Sequence, residues 1–174
     1  MTAKTRLAAG LLGAYLLVAR ADVVYLEPLQ FVESTVGTGI EPKALWLTRD
    51  VQAQVEKVLG HTYPQARLRY WRSERGTAFI LDEIGKEFPI TAGFVVRQGR
   101  VTEARVLIYR ESRGQEISQR AFLRQFQGVG LTPGLELDHA IDGITGATLS
   151  VDAMQRMART ALVLANLIES APGT

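Results

Sequence analysis

No cysteine occurs in the 174 residues. That excludes a structural disulfide, a lipid-modified cysteine anchor, a covalent c-type haem and any iron–sulfur cluster. Histidine is nearly as scarce, with two copies. His61 falls in the loop-like stretch His61-Thr62-Tyr63-Pro64, and His139 in a long connection. Both read as surface residues rather than ligands or proton shuttles, and no metal site is expected. The chain also lacks the usual glycine-rich nucleotide loops, an internal repeat and any low-complexity tract.

Long apolar runs are missing too. Leu7 to Ala19 is apolar behind Lys4 and Arg6. As a helix it reaches roughly 20 Å, against a hydrocarbon core of about 30 Å. It spans a bilayer only if Val23 to Leu26 extends it past Arg20 and Asp22. Ala19-Arg20-Ala21 fits the small-x-small pattern of a signal-peptidase site, so residues 1–21 read as a signal peptide, with a short N-terminal anchor as the alternative. Cleavage before Asp22 removes Lys4, Arg6 and Arg20, which leaves cations and acids nearly balanced. Such a mature chain gives no support to nucleic-acid binding.

What is present suits one globular domain with an appendage: 47% hydrophobic and 22% charged residues. Residues 22–47 read as an N-terminal extended segment, broken at Glu41-Pro42. The domain proper is expected over 48–174. Thr48 is a plausible N-cap for a helix through Leu59, with Gly60 as its stop. Alternating runs then mark strands at Ala66–Arg72, Thr77–Leu81, Ile90–Arg97 and Val101–Tyr109, with a hairpin at Gln98-Gly99. Alternation implies antiparallel strands with one buried face. Trp71, Phe79 and Phe94 are candidates to stack on a planar cofactor, although strand aromatics are more often core. A helix is expected from Glu116 to Gln127. The connection 128–141 should be pinned by Leu131, Leu135 and Leu137.

The richest stretch is Asp142-Gly143-Ile144-Thr145-Gly146-Ala147-Thr148-Leu149-Ser150. Two glycines, an alanine and three hydroxyls precede a long apolar-periodic helix, with Ser150 as the expected N-cap. A helix start favours negative charge, and small residues let a ligand approach the backbone. Read alone, this is a turn followed by a cap, or an anion site with exposed hydroxyls. Upstream, Tyr109-Arg110-Glu111-Ser112-Arg113-Gly114 closes a strand, so Glu111 and Ser112 are placed to hydrogen-bond a ligand's edge.

Asp142, Gly143, Thr145, Gly146, Ala147 and Thr148, with Ser150 following, resemble the flavinylation motif of FMN-binding domains. That family includes the C subunit of sodium-pumping NADH:quinone reductase and the G subunit of Rnf-type complexes. Leu81 to Lys86 with Pro89-Ile90-Thr91 also resembles small exported FMN-binding proteins. The Glu111 segment resembles the family loop beside the flavin ring, but Arg113 stands where that loop has proline. The resemblance implies an α+β fold with a central antiparallel sheet and packed helices. It further implies FMN bound covalently through its phosphate to Thr148, with Asp142, Gly143, Thr145, Gly146, Ala147, Leu149, Ser150, Glu111 and Ser112 around it. Attachment would need a separate flavin transferase, because the chain shows neither a base nor a nucleotide loop to activate a threonine hydroxyl.

The resulting expectation is a periplasmic or otherwise extracytoplasmic electron carrier, with membrane association through its N-terminus as the alternative. It would serve membrane or periplasmic donors and acceptors, carry no haem of its own and have no catalytic pair. The alternatives are a non-redox binding or assembly module that uses Asp142–Ser150 only as a turn, and a stand-alone flavin reductase.

Overall fold

A computed structural model describes residues 22–171. The expected leader, 1–21, lies outside the described residues. The fold is α+β: a six-stranded antiparallel sheet with helices on both faces, in strand order β1-β6-β5-β4-β3-β2. The alternating runs form β3 (Arg67–Ser73), β4 (Gly76–Ile84), β5 (Pro89–Arg97) and β6 (Arg100–Tyr109). Gln98 and Gly99 turn β5 into β6 with positive φ, which matches the right-handed twist of the strands.

The segment 22–47, expected as an extended arm, is built into this sheet. Val23–Val24 is β1 and pairs with the end of β6. Lys43–Trp46 is β2 and pairs with β3. Between them Pro28–Thr35 forms helix α1, with proline in its first turn where no amide is needed. α1 buries Phe31, Val32 and Val36 against Trp71, Ala78, Val95 and Leu107. This corrects the expectation of one buried face, because β5 is buried almost throughout. Gly93 makes the second layer possible: a Cβ there would stand 2.4 Å from the Phe31 ring. Burying that ring contributes about 2–3 kcal/mol.

The opposite face carries the larger core. α2 (Arg49–Leu59) begins at Thr48, whose hydroxyl accepts from the Val51 amide, and ends at Gly60 with φ +80°, as its sequence implies. It packs on α4 (Thr148–Ser170), which lies across β4 and β5. Phe79 and Phe94 are buried in this core and Trp71 under α1, and none of the three lines the cleft between Glu111 and Thr148. Among the described residues no helix is long and apolar enough to cross a membrane.

The helix expected over 116–127 is broken into a 3-10 turn at Gln115–Ser118, a short α3 (Arg120–Leu123) and a second 3-10 turn at Arg124–Phe126. Gln119 is extended, at φ −69° and ψ 140°. That break brings Ile117 into the core together with Phe122, Leu123 and Phe126. One unbroken helix does not stack positions 117 and 122. In the connection 128–141, Leu131 and Leu137 pack on the core. Leu135 instead turns the chain with φ +64°. Asp138 does much of the pinning, accepting from the Gly130 amide at 2.8 Å and from Arg100 at 2.5 Å. The Gly130 amide, His139 and Arg100 together hold its carboxyl below the usual carboxylate range.

Candidate functional site

The Glu111 segment and the Thr148 stretch meet. They line one cleft of about 600 Å³ together with the turn between β4 and β5. Lys86, Glu111, Ser112 and Arg113 form one wall; Gly146, Ala147, Thr148, Leu149 and Ser150 form the other. Asp142, Gly143 and Thr145 are exposed in the turn before the helix and do not line the cleft. The Asp142 amide donates to the Gln125 side chain at 2.7 Å, and the Ala147 amide to the Ile144 carbonyl at 2.9 Å.

The first wall is folded by Glu111. Its Oε1 accepts from the backbone amides of Lys86, Glu87 and Phe88 at 2.6, 2.7 and 3.0 Å. A carboxylate that gathers several amides shapes the turn around itself. The turn in turn presents Lys86 to the cleft. The sequence marked Gly85-Lys86 only as a polar interruption; the partner that gives the turn its shape lies 25 residues on, with no local signal.

The second wall is a helix start. α4 begins at Thr148, with Ala147 as its cap residue and no side-chain cap. The expected N-cap, Ser150, is therefore corrected: it sits one turn inside the helix and is only 5% exposed. Its duty is tertiary. The Tyr109 hydroxyl donates to the Arg113 carbonyl and lies 3.2 Å from Ser150 Oγ. Tyr109 has one proton to give, so Ser150 donates in that pair. Burial pushes the Tyr109 hydroxyl pKa up, the Ser150 hydrogen bond opposes this, and the nearby Glu111 charge adds to the rise.

Gly114 lets these groups close. It has φ +87°, and a Cβ would stand 2.8 Å from the Tyr109 hydroxyl and 3.1 Å from Ser150 Oγ. The two walls are thus fastened behind the cleft by Tyr109, Ser150 and Gly114.

Electrostatically the cleft favours an anion. The amides of Thr148, Leu149 and Ser150 occupy the first helical positions, which have no acceptor within the helix. The first turn carries no acidic residue, so the positive end of the helix dipole is left uncompensated there. Lys86 and Arg113 add two cations on the facing wall. Thr148 is exposed, and Leu149 is half exposed beside it. A phosphate at the helix start and a flat, partly apolar group along Leu149 fit this donor set.

His61 and His139, read as surface residues, are both largely exposed. His61 also contacts a buried acid: its Nε2 lies 3.1 Å from Glu83, which is 4% exposed and takes Arg156 Nε at 2.8 Å. Arg156 also donates to the Ile84 carbonyl at 3.0 Å, so α4 holds the far side of the same turn. Among the described residues no cluster of acids and histidines could hold a metal ion.

Comparison with known proteins agrees with this cleft. Residues 85–163 match the family model of the FMN-binding domain, a span that contains both walls. No curated protein and no solved structure matches the chain. That match, with a phosphate-favouring helix start inside the matched span, identifies residues 85–163 as similar to the FMN-binding domain.

Proposed function

We propose that FMN is held covalently, through a phosphoester to Thr148, and that the domain relays electrons between extracytoplasmic or membrane redox partners. The observation that carries this reading is the place of Thr148. It is an exposed hydroxyl at the first position of an uncapped helix, on the wall of the cleft that faces Lys86, Glu111, Ser112 and Arg113. Free amides and the helix dipole stabilise a phosphodiester there. Lys86 and Arg113 offset negative charge, and Leu149 supplies an apolar contact.

The carboxylate that lines the cleft, Glu111, is taken up by three backbone amides, which favours a separate flavin transferase. In that step Thr148 Oγ1 attacks the FMN phosphorus of FAD and a new P–O bond forms. The pyrophosphate bond breaks, AMP leaves, and the threonine proton passes to the transferase. Once bound, FMN supplies one- or two-electron chemistry. The chain's residues hold the flavin and shape its surroundings, which is the role of a carrier rather than a complete enzyme.

Co-expression with a flavin transferase tests the reading. Mass spectrometry is expected to show the chain plus one FMN less one water. Thr148→Ala loses the adduct. Thr145→Ala keeps it, because Thr145 lies outside the cleft. Ser150→Ala keeps it with reduced stability. An adduct mapped to Thr145, or retained in full by Thr148→Ala, refutes the assignment.

A further inference from the structure

Antiparallel pairing brings the end of β2, the start of β3, the end of β4, the start of β5, the end of β6 and the start of β1 to one edge of the fold. Six strands at about 4.8 Å spacing make that edge roughly 24 Å across. Its side chains are unusual. Val23 and Val24 open β1, Trp46 closes β2, Ile84 closes β4, Phe88 lies in the next turn and Leu149 in the first turn of α4. All six are substantially exposed. Apolar side chains gathered on one edge mark an interaction surface, whereas scattered ones need no explanation.

Arginines outside any ion pair stand beside them. Arg67 and Arg69 share a face of β3, and Arg67 lies directly opposite Trp46 in the sheet register. Arg113 stands at the end of β6. Among the described residues none of these three arginines has an ion-pair partner. The nearby acids are engaged: Asp22 with Arg110, Asp82 with Thr91, Glu83 with His61 and Arg156, and Glu87 with Lys86. Asp22, where residues 1–21 join the domain, lies at this same edge.

We propose that this edge docks on an anionic lipid surface, with Trp46, Ile84 and Phe88 entering the headgroup region and Arg67 and Arg69 facing lipid phosphates. Tryptophan favours that interface, because its ring is apolar and its N–H polar. Free arginines match anionic headgroups at about 1 kcal/mol each. The inference stands on the strand ends and does not require the flavin. If both hold, the Thr148 cleft opens toward the membrane.

The chain contains its own reporter. Of its two tryptophans, Trp46 is 62% exposed and Trp71 is 6% exposed. The full chain, as Trp71→Phe, is mixed with phosphatidylcholine vesicles with and without phosphatidylglycerol. Trp46 emission is expected to shift to the blue and to be quenched by brominated acyl chains, mainly when phosphatidylglycerol is present. Arg67→Glu with Arg69→Glu is expected to weaken this partitioning at least about tenfold. Should Trp71→Phe fold poorly, the difference between the native chain and Trp46→Phe gives the same signal. Vesicle binding with unchanged Trp46 emission means that residues 1–21 alone make the contact and overturns the proposal. No vesicle binding overturns it too, as does a Trp46 shift that follows protein concentration without lipid, which would indicate a second copy on this edge.

Discussion

Ser150 shows how far a side chain's duty can lie from its local pattern. Serine before an apolar-periodic run reads as an N-cap. Here the hydroxyl is claimed by Tyr109, 41 residues earlier, and the helix starts three residues sooner, after an alanine that caps nothing. Ser150→Ala therefore removes a buried tertiary hydrogen bond rather than a cap, at a cost of about 1 kcal/mol. Thr48 is the contrasting case, since its cap partner Val51 is three residues away and so lies within reach of sequence reasoning. Tyr63 makes a second prediction at this scale. Burial, helped by the charges of Asp82 and Glu83, pushes its hydroxyl pKa up to about 12. A raised folded-state pKa means that the folded chain keeps a proton which the unfolded chain gives up near pH 10. Its contribution is thus complete below about pH 10 and is lost as pH rises toward 12, by on the order of 2–3 kcal/mol. Urea unfolding at pH 9 and pH 11.5 is expected to show this loss, and Tyr63→Phe is expected to reduce it. Equal losses in both proteins would mean that other groups carry the alkaline dependence.

Elements were legible where local signals agreed. The four central strands and α2 carry alternation, a cap residue and a stop glycine of their own. The helix expected at 116–127 did not survive, because its apolar residues serve two different turns of backbone on either side of Gln119. The segment 22–47 was missed for another reason: two-residue and four-residue strands show too little alternation to read, and their pairing partners lie far along the chain. α4 was legible as a helix, but its second role was not. Arg156 reaches from it to Glu83 and to the Ile84 carbonyl, and so ties the helix to the turn that presents Lys86. Arg156→Ala leaves Glu83 buried with the His61 ring as its remaining partner. We expect a loss of about 2–3 kcal/mol, below the range for a fully orphaned acid. Chemical denaturation measures it, and Glu83→Gln in the same background is expected to recover part. No recovery would mean that lost packing, not the buried charge, is the cause.

At the scale of the whole molecule, alternation gave the antiparallel strands and the family resemblance implied the α+β fold around them, but neither gave the second covering layer. Nothing in the sequence pairs Gly93 with Phe31, although that contact seats α1. The candidate site was legible as two separate segments through their likeness to a family, and their meeting became visible only in the fold. Export belongs to this scale as well. We expect processing between Ala21 and Asp22, which leaves β1 whole; N-terminal sequencing from a secreting host checks it, and a mature chain beginning at Met1 in the membrane fraction would support the anchor instead. The edge strands then set an order in time. β1 is made first, yet its partner is the end of β6, and the cleft waits longer still, for Thr148. A chain emerging from its N-terminus therefore holds an unpaired first strand until Tyr109 has been delivered, and half a cleft until Thr148 has. On the proposed attachment at Thr148, an enzyme that recognises the assembled helix start has nothing to act on before then, and cofactor loading would report a finished fold.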